Sequence, residues 1–163
     1  MQQAEAVSLI QKAITGDQTQ NWVDLGCGTG TFTLALQSLL PIGSHLSAVD
    51  KRPQKLPVGF IKADFEKDDL HLAGLDGILM ANSLHYVRDK AKLIKKLEIY
   101  FSASPAFLIV EYDITRYSPW IPYPINYQNL QKLFTGLGYS SITKLAEAPS
   151  QFGGRMYSAL IRL

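Results

Sequence analysis

Asp24, Gly26, Cys27, Gly28 and Gly30 stand in the run Val23-Asp24-Leu25-Gly26-Cys27-Gly28-Thr29-Gly30, an acidic residue followed by three glycines at alternate positions. Ahead of them, Trp22 to Leu25 is apolar apart from Asp24, and behind them an apolar helical pattern runs from Phe32 to Leu40. Strand, glycine turn and helix form the arrangement in which backbone N–H groups and a helix N-terminus meet a ligand with no Cβ in the way. A dinucleotide fingerprint requires Gly-x-Gly-x-x-Gly, and Thr31 occupies the place of its last glycine. A second strand pattern, His45 to Asp50, ends in a carboxylate about 20 residues beyond the loop, the separation at which an acidic residue meets ribose hydroxyls. Alone, Asp50 reads as a solvated aspartate before Lys51-Arg52-Pro53. Paired with the glycine loop, it reads as a ribose ligand.

The pattern acidic-x-Gly-x-Gly-x-Gly resembles the first motif of the class I, Rossmann-like methyltransferases that use S-adenosylmethionine, in their small-molecule branch. That resemblance covers nearly the whole chain. It implies a cofactor site of Asp24, near the methionine ammonium, with Gly26, Cys27, Gly28 and Gly30, then Asp50 and Lys51 after the second strand. It further implies that Asp64 meets the adenine amino group, flanked by Ala63 and Phe65, and that carbonyls around Met80 and Ala81 lie beside the methionine end. The turn Asn82-Ser83-Leu84-His85-Tyr86-Val87 resembles the family's segment at this place, with Tyr86 where a second histidine is frequent.

Histidine is the side chain suited to proton transfer at neutral pH, and His85 comes after the expected methyl end, so it is the expected base where an acceptor must lose a proton. A histidine packing the following helix is the competing reading. Asp113 ends a strand and is expected to orient an acceptor. The segment Ile114 to Tyr127 mixes Tyr117, Trp120, Tyr123 and Tyr127 with three prolines, which rule out a regular helix or central strand. Asn82, Tyr86, Tyr117 and Trp120 are expected to line an acceptor pocket, where aromatic rings bury area at little entropic cost. The only cysteine, Cys27, lies in the cofactor loop, which argues against base C5 chemistry. No Pro-Pro-aromatic motif follows Asn82. A small-molecule O, N or C acceptor remains.

The elements that must position these residues follow from periodicity. An amphipathic helix opens the chain over about 3–15, and strands end at Leu25, Asp50, Asp64, Asn82 and Asp113. Pro53 and Pro57 leave no room for a helix after Asp50. Leu93, Ile94, Leu97, Tyr100 and Phe101 mark one late helix, and Tyr127, Leu130, Leu133, Phe134 and Leu137 the last. Residues 140–163 form a hairpin broken by Pro149, Gly153 and Gly154. The expected fold is one α/β domain over 1–163 with a mostly parallel sheet and one antiparallel strand, and the resemblance implies a three-layer sandwich around a seven-stranded sheet into which the final hairpin inserts antiparallel.

At 163 residues, 47% hydrophobic and 18% charged, the composition is that of a globular domain. A formal charge of +2 with scattered basic residues gives no reason to expect nucleic acid. One cysteine and three dispersed histidines lack the spacing of a metal site. No signal peptide or membrane-length apolar run is present, so a cytoplasmic protein, a monomer or homodimer, is expected. A cofactor-binding regulator without catalysis is the alternative to an enzyme.

Overall fold

The computed structural model describes residues 1–163. Seven strands, β1 (Asn21–Leu25), β2 (His45–Asp50), β3 (Gly59–Lys62), β4 (Gly77–Ala81), β5 (Ala106–Tyr112), β6 (Ser141–Pro149) and β7 (Arg155–Arg162), form one sheet in the order β3-β2-β1-β4-β5-β7-β6. Pairings among β1 to β5 are parallel. β7 is antiparallel to both β5 and β6, so it alone runs against the rest. The seven-stranded sheet with an inserted antiparallel hairpin strand is the one the sequence predicts.

Strand alternation sorts the core into two layers. Trp22, Leu79 and Leu108 face α1 (Gln3–Ile10) and α2 (Thr31–Leu39), where Ala6, Leu9 and Leu36 meet them. Val23, Ile78, Phe107 and Ile109 face α3 (Lys90–Leu97) and α4 (Tyr127–Gly136), where Leu93, Ile94 and Phe134 meet them. β5 is buried along its whole length, as an apolar strand covered on both faces must be. The opening helix is shorter than 3–15, because its last turn tightens into a 3-10 helix over Gln11–Ala13.

Helix starts carry local caps. Asp89 accepts from the Lys92 N–H at the head of α3, and Asn126 accepts from the Asn129 N–H at the head of α4. No helix joins β2 to β3 or β3 to β4, in keeping with Pro53 and Pro57. The order reverses between β1 and β4, and their carboxyl ends open the crevice in which ligands of such sheets bind. No helix is long and apolar enough to cross a membrane.

Candidate active site

The glycine loop leaves β1 and is tied down by β2. Gly26 and Cys27 donate their N–H groups to the Val49 carbonyl at 2.8 and 3.0 Å, and the Gly28 N–H meets Asp50 Oδ2 at 2.9 Å. The loop therefore spends these donors on its neighbour strand. What it offers a ligand is room. A Cβ on Gly28 would meet nothing within 4 Å, because that position faces open space. Gly26 differs: its φ is +76° and a Cβ there would come within 2.6 Å of the Ser83 Cβ. Ser83 itself donates to the Leu25 carbonyl at 2.7 Å, which clamps the turn after β4 onto the end of β1.

Asp24 lies on the α2 face of β1, fully enclosed, with one carboxyl oxygen accepting from Thr33 Oγ at 2.7 Å. Its Oδ1 has no partner. Burial, opposed by the Thr33 hydroxyl and aided by nearby Asp50, raises the carboxyl to about 7. An orphaned buried acceptor at a cavity wall fits a cationic nitrogen of a ligand, which would satisfy the oxygen and favour its charged form.

Asp50 accepts from the N–H of Gly28 with one oxygen and of Arg52 with the other, both at 2.9 Å. Each oxygen keeps a second lone pair for a diol. Burial, with Asp24 and Asp50 close by, pushes the Cys27 thiol up to about 12, so it stays protonated and inert.

A cavity of about 1020 Å³ joins these groups. Asp24, Gly26, Cys27, Gly28, Asp50, Lys51, Asp64, Phe65, Ala81, Asn82 and Tyr86 all line it, so most residues singled out from sequence share one space. Gly30 does not. It caps α2 in the left-handed region, against Leu56. Asp64 is engaged locally, its Oδ1 capping the Glu66 and Lys67 N–H groups and its Oδ2 lying 3.4 Å from Lys51 Nζ. Partial burial opposes the shift, but those N–H groups and the Lys51 charge hold the carboxyl below its usual range.

Several expectations need correction. The Met80 side chain is fully buried on the α3 side of β4, so that any contact there falls to backbone carbonyls, as expected for this stretch, and Ala81 lines the cavity. Ala63 is spent holding β3, its N–H on the Asp50 carbonyl at 3.0 Å. Asp113 is exposed outside the cavity and caps α4 by accepting from the Tyr127 N–H at 2.8 Å. Tyr117 and Trp120 are 65% and 70% exposed on the outer surface, where the proline segment carries them away from the crevice.

His85 is 2% exposed and stands behind the wall rather than in it. Its Nδ1 is 2.8 Å from Glu111 Oε2, and Glu111 Oε1 accepts the His85 backbone N–H at 3.0 Å. Glu111, itself fully buried on β5, thus anchors the whole turn after β4. The reading of His85 as a packed residue prevails over that of a base.

Four features escaped the sequence reading: Thr33, Glu111, Tyr112 and the hairpin tip Pro149–Gln151, which lines the cavity far along the chain. Glu111 carried a signal, as the lone charged residue in an apolar strand, whereas Thr33 is one of several polar residues in α2 and carried none. The hairpin tip carried none.

Residues 23–99 match the model of a methyltransferase domain family. No curated protein sequence matches the chain. The fold is similar to 1,6-didemethyltoxoflavin-N1-methyltransferase of Burkholderia thailandensis, solved with its substrate and S-adenosylhomocysteine, at 15% identity and TM-score 0.76, over 98% of this chain and 77% of that one. It is also similar to YcgJ of Bacillus subtilis, at 12% identity and TM-score 0.72 over 98% of each chain. The N-terminal domain of EvdMO1 with bound S-adenosylhomocysteine has 20% identity and TM-score 0.70, over 99% of this chain and 81% of that one. The chain thus has the Rossmann-like fold of the methyltransferase structures to which it is similar.

Proposed function

We propose that this protein methylates a small-molecule acceptor, with S-adenosylmethionine held by Asp24, the Gly26–Gly28 turn, Asp50 and the Asp64–Phe65 edge. The observation that carries the reading is the pairing of the orphaned Asp24 oxygen with open space above Gly28 in one cavity. Small-molecule acceptors of the similar structures, didemethyltoxoflavin among them, support the acceptor class. When bound, the cofactor supplies a methyl group already activated by a positively charged sulfur. The chain is left to align the acceptor and exclude water. Ser83 and Glu111 do the aligning by fixing the turn that carries Asn82 and Tyr86. The protein acts in the cytoplasm, as a monomer or homodimer, without nucleic acid.

Calorimetric titration with S-adenosylhomocysteine tests the cofactor site. Micromolar binding is expected, weakened at least ~10-fold in Asp50→Ala as two hydroxyl hydrogen bonds are lost. Absence of binding to folded protein would sink the reading and leave the fold serving a regulatory partner.

A further inference from the structure

The cavity divides by strand. The ends of β1, β2 and β3 supply the half assigned to the cofactor, and Lys51 and Arg52 lie in that half. The ends of β4 and β5 and the β6–β7 hairpin supply the other half, and no lysine or arginine lines it. An anionic acceptor would find no counter-charge there and would pay desolvation unaided.

Two aromatic side chains, Tyr86 and Tyr112, line this half. Tyr86 is 58% exposed, with the His85 ring 4.4 Å from one side of it, centroid to centroid. Tyr112 is nearly enclosed, set between His85 at 5.8 Å and Phe152 at 5.2 Å. Phe152 belongs to a hairpin tip folded on itself, its own N–H on Ser150 Oγ at 3.0 Å and the Ser150 N–H on the Gly154 carbonyl at 3.0 Å. Val87 and Met156 add apolar surface, and the neutral polar side chains of Asn82, Ser83, Ser150 and Gln151 complete the lining.

We infer that the acceptor is an uncharged, flat ring system that stacks on the open face of Tyr86, with the β6–β7 hairpin tip holding Tyr112 as the second wall. The inference takes from the methyl-transfer reading only the word acceptor; the ring-binding pocket stands on its own geometry. Tyr86 and Tyr112 contact the ligand, and Phe152 is a positioning residue that acts through Tyr112.

Three matched probes test it by calorimetry, with and without S-adenosylhomocysteine: 2-naphthol (flat, neutral), 2-naphthoate (flat, anionic) and decahydro-2-naphthol (neutral, not flat). 2-Naphthol is expected to bind at least ~5-fold more tightly than either relative, the scale of a ring–ring contact. Tyr86→Ala should remove that preference, while Tyr86→Phe keeps it and Phe152→Ala weakens 2-naphthol by about threefold. Equal binding of the three probes, tighter binding of 2-naphthoate, or a preference that survives Tyr86→Ala overturns the inference. Selective 2-naphthol binding by a protein that takes no S-adenosylhomocysteine would uphold the pocket and overturn methyl transfer. Cofactor binding without ring selectivity would do the reverse.

Discussion

Asp24 concentrates the chemistry of the site in one carboxyl. Its pKa in the folded chain, about 7, lies above the ordinary 3.8, so the folded state binds this proton more tightly than the unfolded state. The stability it contributes is full below the ordinary value and is lost as pH rises through 7. Urea denaturation of ligand-free protein should therefore show a pH-dependent loss between pH 4 and 8, on the order of 3 kcal/mol, that Asp24→Asn lacks. Binding of S-adenosylhomocysteine should show the opposite slope. Its ammonium needs the ionised form, so affinity should fall by about tenfold per pH unit below 7 in wild type and stay level, and weaker, in Asp24→Asn. Parallel slopes in the two proteins would remove Asp24 from the cofactor site. His85 makes a contrasting case at the same scale. Held by Glu111 behind the wall, it should leave the pH–rate profile of a turned-over acceptor unchanged in His85→Gln, whereas a base would lose its limb.

Among the elements, the glycine turn shows that one motif can hold two kinds of glycine. Gly26 is required by the fold, for its φ and for the approach of Ser83, while Gly28 is required by space for a ligand. Gly26→Ala should cost about 2–4 kcal/mol of stability, from left-handed strain plus displacement of the Ser83 turn. Gly28→Ala should cost only about 1–2 kcal/mol, from strain alone, yet abolish binding of S-adenosylhomocysteine. Denaturation and titration of both variants separate the two effects. The sequence predicts the strands, the helices and the missing helix after Asp50, because periodicity and proline act locally. It places Asp24, Gly28, Asp50 and Phe65 correctly around one cavity, because loops at strand ends follow from the topology. Which of the two readings of His85 the fold takes was not legible in this way. The side of a turn that a side chain takes depends on a distant partner, here Glu111, and residue types alone do not name that partner. The hairpin tip is further still from local rules, since its role comes from where β7 inserts.

For the whole molecule, the layers divide labour. The face bearing α1 and α2 encloses Asp24 and Thr33, and the face bearing α3 and α4 holds the Glu111-anchored turn, with Lys90 of α3 donating to the Val87 carbonyl at 2.8 Å. The two halves of the cavity are thus built on the two sides of the switch in strand order. β7 enters between β5 and β6 after every other strand has appeared in the chain, and Ser158 on it donates to the carbonyl of Leu9 in α1, 149 positions earlier. Contacts of that separation carry a large loop-closure cost and come late in folding. Until β7 arrives, β5 presents an apolar open edge of the kind that recruits other chains. The hairpin that walls the cavity is therefore also the seal on the sheet, and a nascent chain short of it would be a client for chaperones.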